Sequence, residues 1–458
     1  MTYKKITEIV KGLDDKSLYN YRHRGVPLWE IIKRRVVVKN FEKSDDIGDI
    51  NHSGFDTKRL FSTLFYFFVS FYQLIFKVGL KEYLFIGFSR RVKVDGEYVD
   101  IYHDHLIKSL GEDKSVMFER PIKGAHMKPR KYLYGVIYLD CVCYLAEIFS
   151  RCLFLKTSSS DFKKLSDNLT SKGLEMPSLR EVNIQINKFK IEAWFAKLLL
   201  AKVKPKSIVI TSKWLHLPFI AAANKESIPV YEVQHGARFY YNLAYQGFGR
   251  FNKFRIDWLL TMGPKWNSLP WESTNVIDIG NSNFSGLEGL KVRKCNAWRS
   301  ILFISQPELW KSIKLDVAEL AKRNPEFQIT LRFHPKDIGN VDSRYGSLRK
   351  HSNISFEFPD HNVSDSIARH SLIVGYTSTV IFQAHDMGAK VALVAGDAFT
   401  VDDYHEIFED MIGSFEIIES YNLSDFDWGV RVQKGCFFSS FKPESWKKLV
   451  EGEAIDSN

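Results

Sequence analysis

Short apolar runs punctuate the chain from Tyr83 onward, separated by segments that are apolar every third or fourth residue. The runs are Tyr83–Phe88 (YLFIGF), Ser115–Phe118, Ser207–Thr211 (SIVIT), Val230–Val233, Trp258–Met262 and Val276–Ile279. They resume with Ile301–Ser305, Ile329–Phe333, Ile354–Phe358, Leu372–Gly375, Val391–Val394 and Phe415–Ile418. Their length and β-branched or aromatic content predict buried strands. The spacing between them predicts helices over His105–Leu110, Ile184–Val203, Leu217–Lys225, Lys311–Arg323 and Val380–Met387. Asn324-Pro325 stops the fourth of these, since the residue before a proline disfavours the helical region; Gly388 stops the fifth. Tyr132–Lys156 reads as one long apolar helix, Thr157–Arg180 as a polar surface loop, and Val94–Asp100 as a loop. Arg34–Asn40 reads as a short strand or the end of a helix.

Strands alternating with helices mean a parallel sheet covered on both faces. The pattern breaks at Gly280-Asn281-Ser282, and 281–297 is polar and weakly patterned, which suits a boundary. The expected architecture is therefore α/β, with two doubly wound Rossmann-like domains facing across a cleft. Residues 1–80 form a helical N-terminal extension, 81–285 the first domain and 286–458 the second.

Leu60–Phe76 (LFSTLFYFFVSFYQLIF) carries no charge and is flanked by Lys58-Arg59 and Lys77. It is short for a bilayer span. Ser62, Thr63, Ser70 and Gln73 dilute it, and its aromatics suit an interface, so a buried or interfacial helix is expected ahead of a span. Asp140 and Glu147 argue against a span in the later apolar stretch.

Composition changes this picture little. The 458 residues are 45% hydrophobic and 26% charged, with 35 Phe and 20 Tyr, and show no repeat. A net charge of +10 suits an anionic partner: a membrane surface, a phosphorylated ligand or nucleic acid. No dense Lys/Arg stripe or nucleic-acid motif is present, so nucleic acid is not expected. The first fifty residues lack the pattern of a secretory leader. Five cysteines without zinc spacing suit a reduced, cytoplasmic chain. His103, Asp104 and His105 are consecutive, and helix neighbours do not face one way, so no metal site and no cofactor are expected.

The candidate chemistry falls at strand ends, where open α/β sheets bind ligands. ITLRFHPK (Ile329–Lys336) ends in Arg332, His334, Pro335 and Lys336. Pro335 cannot continue a ladder, so it ends the strand and presents His334. Three potential cations there suit a diphosphate or nucleotide monophosphate. Further on, Leu372–Gly375 leads into Thr377-Ser378-Thr379 and a helix, whose N-terminal hydroxyls and N–H groups can bind an anion. In the first half, VYEVQHG (Val230–Gly236) ends a strand in Gln234-His235-Gly236. Gly236 permits a sharp turn, and His235 titrates near neutrality.

A strand ending RFHPK followed by YTSTVIFQA resembles the C-terminal nucleotide domain of GT-B glycosyltransferases. The likeness is to bacterial sialyltransferases and Kdo transferases, with their His-Pro and Ser-Ser/Thr motifs, and to CDP-glycerol polyol-phosphate transferases. VYEVQHG is similar to the Trp-His-Gly and Gln-His-Gly turns of the same enzymes. The resemblance implies that His334, Pro335, Ser378 and Thr379 contact the phosphate and nucleotide of a CMP- or CDP-linked donor, with Arg332 and Lys336 nearby. Where many GT-B chains carry an acidic residue for the donor ribose or sugar, this one has Gln383, which can still hydrogen-bond hydroxyls. The acidic Gly-terminated motif of sialyltransferases is absent, Asp95-Gly96 being the nearest fragment. An attacking hydroxyl needs a base; His235 comes first, with Glu232 and Asp95 as further candidates.

The expected activity is metal-independent sugar transfer from a nucleotide-activated donor to a growing bacterial surface polysaccharide, an O-antigen or capsule. CMP-Kdo or CMP-sialic acid is favoured as donor, with UDP- and GDP-sugars open. The acceptor would be a glycan or lipid-linked glycan, met at the inner face of the cytoplasmic membrane by a peripheral enzyme. The alternatives are a CDP-glycerol-type polyol-phosphate transferase on the same fold and a non-enzymatic polyanion- or membrane-binding protein. A UDP-sugar epimerase shares the two-domain shape, but its acidic catalytic set is not recognisable.

Overall fold

The computed structural model describes residues 16–44, 57–88, 91–94, 96–121, 126, 135–153, 159–237, 254–267, 275–282, 299–360, 362–419, 421, 423, 426, 428 and 437–453. Two parallel sheets dominate. The first comprises β1 (Tyr83–Phe88), β2 (Ser115–Arg120), β3 (Val136–Tyr138), β4 (Ser207–Thr211), β5 (Val230–Val233), β6 (Trp258–Thr261) and β7 (Asn275–Asp278). Their spatial order is β7-β6-β5-β4-β1-β2-β3. The second comprises β8 (Ser300–Ile304), β9 (Gln328–Arg332), β10 (Ile354–Glu357), β11 (Leu372–Gly375), β12 (Val391–Val394) and β13 (Glu416–Ile418), in the order β10-β9-β8-β11-β12-β13. Each order grows outward one way, returns to its first strand and grows the other way. This is the doubly wound plan, and two such domains facing one another make the GT-B arrangement.

Burial on both faces explains the unbroken apolar runs. In β1, Leu84 and Ile86 enter one core while Tyr83 and Phe85 enter another on the opposite face. The second sheet has its own core, built from β8, β9, β11 and β12.

The helices that matter below are α1 (Leu28–Ser44), α2 (Thr57–Phe76), α3 (Asp104–Leu110), α4 (Asp140–Cys152), α5 (Ser160–Ser171), α6 (Leu179–Val203), α7 (Lys213–Lys225), α8 (Trp310–Arg323), α9 (Val363–Arg369), α10 (Thr379–Asp386) and α11 (Pro443–Glu451). Ser178 and Glu181 form a capping box that starts α6.

Three local expectations are corrected, and for a fourth stretch, Arg34–Asn40, the helical alternative holds. The apolar stretch from Tyr132 is not one helix: Val136–Tyr138 pairs with β2 as the sheet's edge strand, and α4 starts only at Asp140. Thr157–Arg180 contains α5, opened by Ser159, whose hydroxyl accepts from Phe162 N. Val94–Asp100 belongs to an antiparallel hairpin, Arg91–Val94 against Glu97–Asp100. Gly96 takes φ +86° in its turn. Arg34–Asn40 lies inside α1 and forms no strand. The proposed boundary falls largely outside the described residues.

The chain end crosses back to the first domain. Ser439 N donates to Met262 O (2.8 Å), Asn281 N to Ser439 O (3.0 Å) and Lys442 N to Ile279 O (2.9 Å). A Cβ on Gly263 would lie 2.3 Å from Phe437 O, and one on Gly280 would lie 2.1 Å from Ser440 O, so both positions require glycine. Helix α11 then buries Trp446 and Leu449 beside Tyr83, Leu106 and Tyr231 of the first domain.

Candidate functional site

In the second sheet the order reverses between β8 and β11, and β9 flanks β8. The carboxyl ends of three adjacent strands therefore converge where such sheets bind ligands. Those ends are Ser305-Gln306 after β8, Phe333-His334 after β9 and Tyr376-Thr377-Ser378 after β11. Gln306 ties the β8 and β11 ends together: its Nε2 donates to Thr377 Oγ1 (3.1 Å), and Thr377 N donates to its Oε1 (2.9 Å).

His334 is held from below. Its N–H donates to Ser305 Oγ (2.7 Å), which donates to Asp337 Oδ2 (3.0 Å), and Arg344 Nη1 donates to Asp337 Oδ1 (2.6 Å). Burial raises the Asp337 carboxyl above its ordinary range, against the Ser305 and Arg344 contacts that lower it. His334 Nδ1 accepts from Lys336 N (3.1 Å), so the neutral ring carries its proton on Nε2. Pro335 opens a 3-10 turn, Pro335–Asn340, at a position where a missing N–H leaves nothing unsatisfied. Lys336 is exposed, with Nζ 3.8 Å from Glu308.

Ser378 is the N-cap of α10, accepting from Val380 N at 3.3 Å. Thr379 is the first helical residue, and its Oγ1 accepts from Ala237 N (3.1 Å) across 142 residues of chain. Ala237 ends the Gln234-His235-Gly236 turn, so the first domain's loop lies on the N-terminus of α10. A Cβ on Gly236 would sit 3.5 Å from Thr379 Oγ1. The loop is fixed on its own side as well. Buried Gln234 donates to Gly236 O (3.0 Å) and accepts from Met262 N (3.1 Å), and Tyr102 OH donates to His235 O (2.9 Å). His235 itself is half-buried.

The structure thus brings the loop that carries His235, through Gly236 and Ala237, onto Thr379, and places His334 just beyond β9, the strand next to β8. Other candidates stand elsewhere. Arg332 is not a cation offered at the strand end. Register pairs it with Glu357 of β10, and its Nη1 donates to Glu357 Oε1 and to Ser366 Oγ (2.9 Å) while it stays 7% exposed. Gln383 is buried and donates to Ser364 Oγ of α9 (2.9 Å), which takes it away from a ribose. Glu232 is buried within β5, accepting from Lys213 N (2.9 Å); burial pushes its carboxyl up. Asp95 lies outside the described residues.

Ser305, Gln306 and Tyr102 were missed from the sequence. A polar Ser-Gln pair and a proline directly after an apolar strand was the available signal for the first two. Chemically, hydroxyls such as those of Ser378 and Thr379, first-turn N–H groups of a helix and an imidazole N–H are all groups that can donate to a phosphate. His235 belongs to the Gln234–Ala237 loop, whose Ala237 N reaches Thr379 at that helix end.

No known family's profile matches the chain, and no curated protein matches it. Among solved structures it is similar to the UDP-GlcNAc 2-epimerase of Methanocaldococcus jannaschii, at 11% identity over 81% of this chain and 98% of that one, TM-score 0.42. It is also similar to the Neisseria meningitidis UDP-GlcNAc 2-epimerase bound to UDP-GlcNAc, at 14% identity over 81% and 99%, TM-score 0.41. A third likeness is to Acinetobacter baumannii MurG, at 11% identity over 81% and 90%, TM-score 0.37. The functional reading below rests on the residues of the site.

Proposed function

We propose that the protein is a glycosyltransferase that moves a sugar from a nucleotide-activated donor onto a growing bacterial surface polysaccharide. The observation that carries this reading is the meeting of the Gln234–Ala237 loop with the Ser378–Thr379 helix start, in the sheet whose β9 ends at His334. Donor phosphate sits on the N-terminus of α10 with the Ser378 and Thr379 hydroxyls and His334 Nε2–H. The acceptor hydroxyl gives its proton to His235 as its oxygen bonds to the anomeric carbon. The bond from that carbon to the leaving phosphate oxygen breaks, and the charge gathering there meets the α10 N–H groups and His334. CMP-linked Kdo or sialic acid is the first choice of donor on the His-Pro and Ser/Thr motifs. The acceptor is a glycan or lipid-linked glycan at the inner face of the cytoplasmic membrane.

A thermal-shift panel against CMP, CDP, UDP and GDP tests this, since a ligand that binds only the folded state raises the melting temperature. Stabilisation by one nucleotide, lost in His334→Ala, supports the site and identifies the base. No shift from any nucleotide in folded protein overturns it. A phosphodiester in the product would favour the polyol-phosphate alternative. Steeply salt-dependent polyanion binding, indifferent to His334→Ala and His235→Ala, would favour the binding-protein alternative.

A further inference from the structure

Helix α2 is built with its polarity reversed. Its polar residues Ser70 and Gln73 face the protein. Ser70 Oγ donates to Tyr138 O (2.5 Å) and accepts from Cys141 N (3.1 Å). Gln73 donates to Val136 O (3.0 Å) and accepts from Tyr138 N (2.9 Å). Strand β3 is the sheet's edge, and Gln73 takes the hydrogen bonds that a further strand would take. The apolar side faces out. Phe61, Phe65, Phe68, Tyr72 and Phe76 form a helical stripe, each between 52 and 72% exposed.

Two neighbouring helices extend this face. α4 packs between α2 and α6. α4 turns Val142 and Ala146 to the sheet, and α6 turns Ala196, Leu199 and Leu200 to it. Away from those contacts, Ile148 and Phe149 near the end of α4 and Trp194 and Leu198 on α6 are exposed. Lys202 of α6 donates to Leu74 O (3.0 Å) and Ile75 O (2.6 Å), fastening the end of α2 to the same layer.

We propose that α2, α4 and α6 together form a membrane-docking face, with α2 lying flat in the headgroup layer of an anionic leaflet. This deepens the membrane side of the function proposed above. It rests on that reading only for which membrane is met. Charge selects the occupant. Thr57–Phe76 contains no acidic residue; Lys58 and Arg59 lie in its first turn, and exposed Lys77 follows it. Lys190 and Lys197 are exposed on either side of Trp194, and Glu147 of α4 is paired with Lys188 and Arg151. An aromatic face with a basic rim fits acidic headgroups over an acyl boundary. Spanning is not the mode, because no described helix is long and apolar enough to cross and the polar side of α2 is committed to β3 and α4.

The test is flotation of the full chain with phosphatidylcholine vesicles, with and without phosphatidylglycerol, alongside light scattering for oligomeric state. Wild type is expected to float with the anionic vesicles. Binding falls by about tenfold or more in Phe65→Ser/Phe68→Ser. Lys190→Glu/Lys197→Glu weakens binding only to anionic vesicles, and added salt does the same. An unchanged melting temperature shows that each variant is folded. Flotation indifferent to the aromatic pair overturns the proposal. So does a wild type that never floats but forms a dimer dispersed by the same pair, which would make a second copy the occupant. Nucleotide-induced thermal shifts, measured without vesicles, fail or survive separately from flotation, so the docking face and the transfer reaction are judged apart.

Discussion

At the carboxyl ends of the second sheet the groups left half open are hydroxyls, an amide and an imidazole, while Arg332, Glu357 and Asp337 are held in buried or half-buried ion pairs beside them. At the matching ends of the first sheet the polar groups are ionisable and sealed. Asp100, His103 and Thr211 are each 1% exposed there. Asp100 Oδ1 accepts from Tyr102 N and His103 N (both 2.9 Å), and His103 Nε2 lies 2.8 Å from Thr211 Oγ1. Glu232 and Lys213 are buried beside them; burial pushes the Glu232 carboxyl up and the Lys213 ammonium down. The sheets share one winding plan but spend their strand ends differently. Buried charge is expensive unless it is paired, so the first domain's polar ends hold local geometry, and that domain meets α10 through the Gln234–Ala237 loop and through Trp266, which packs on Phe382. The second domain leaves neutral groups half open at its strand ends beside its own paired charges. A shared strand order therefore does not tell which strand ends bind.

The sharpest way to break this comparison is His235→Ala, which removes the first domain's proposed base. Transfer is expected to fall by about 10²- to 10⁴-fold, while nucleotide-induced stabilisation is retained. Loss of that stabilisation instead would make the loop part of the donor site.

Next is Trp446→Ala. Its side chain is fully buried in the first domain although α11 follows the second. A loss of about 3–5 kcal/mol is expected by denaturant unfolding. A surface-like effect would show that the closing helix is dispensable.

The sealed ends also predict acid sensitivity. Burial, with His103 nearby, brings the His105 imidazole down to about 3. Among the described residues neither ring nitrogen has a hydrogen-bond partner. A depressed folded value means that the neutral ring's contribution is complete above the ordinary value near 6.5. It is lost as pH falls from there towards 3. By pH 5 the loss is about 2 kcal/mol. His105→Phe, which keeps an aromatic against Phe441, is expected to remove this part of the decline in melting temperature between about pH 7.5 and 5. An unchanged profile would place the acid sensitivity elsewhere.

The smallest effect separates the two cations of the His-Pro strand. Lys336→Ala is expected to reduce the nucleotide-induced thermal shift and leave the free protein's stability within about 0.5 kcal/mol. Arg332→Met is expected to lower stability modestly, because Glu357 keeps Arg369 (3.3 Å) and Ser366, and to leave the nucleotide increment unchanged. The reverse pattern would return Arg332 to the donor site.

What could be read from the sequence was local. The alternation of apolar runs with helical periods fixed the parallel, two-sheet architecture, because a strand buried on both faces must be apolar along its whole length. His334-Pro335 and Ser378-Thr379 were legible for a similar reason: each is a strand end and its turn within a few residues. The remainder depended on partners far along the chain. Register opposite β10 gave Arg332 its carboxylate, Ser364 of α9 took Gln383, and Ala237 met Thr379. The aromatic segment announced its apolarity, but only packing against the β3 edge decided that its polar side turned inward. Sequence carries local periodicity and turn chemistry. Whether a polar group is offered to a ligand or consumed inside depends on which distant backbone or side chain the fold brings against it.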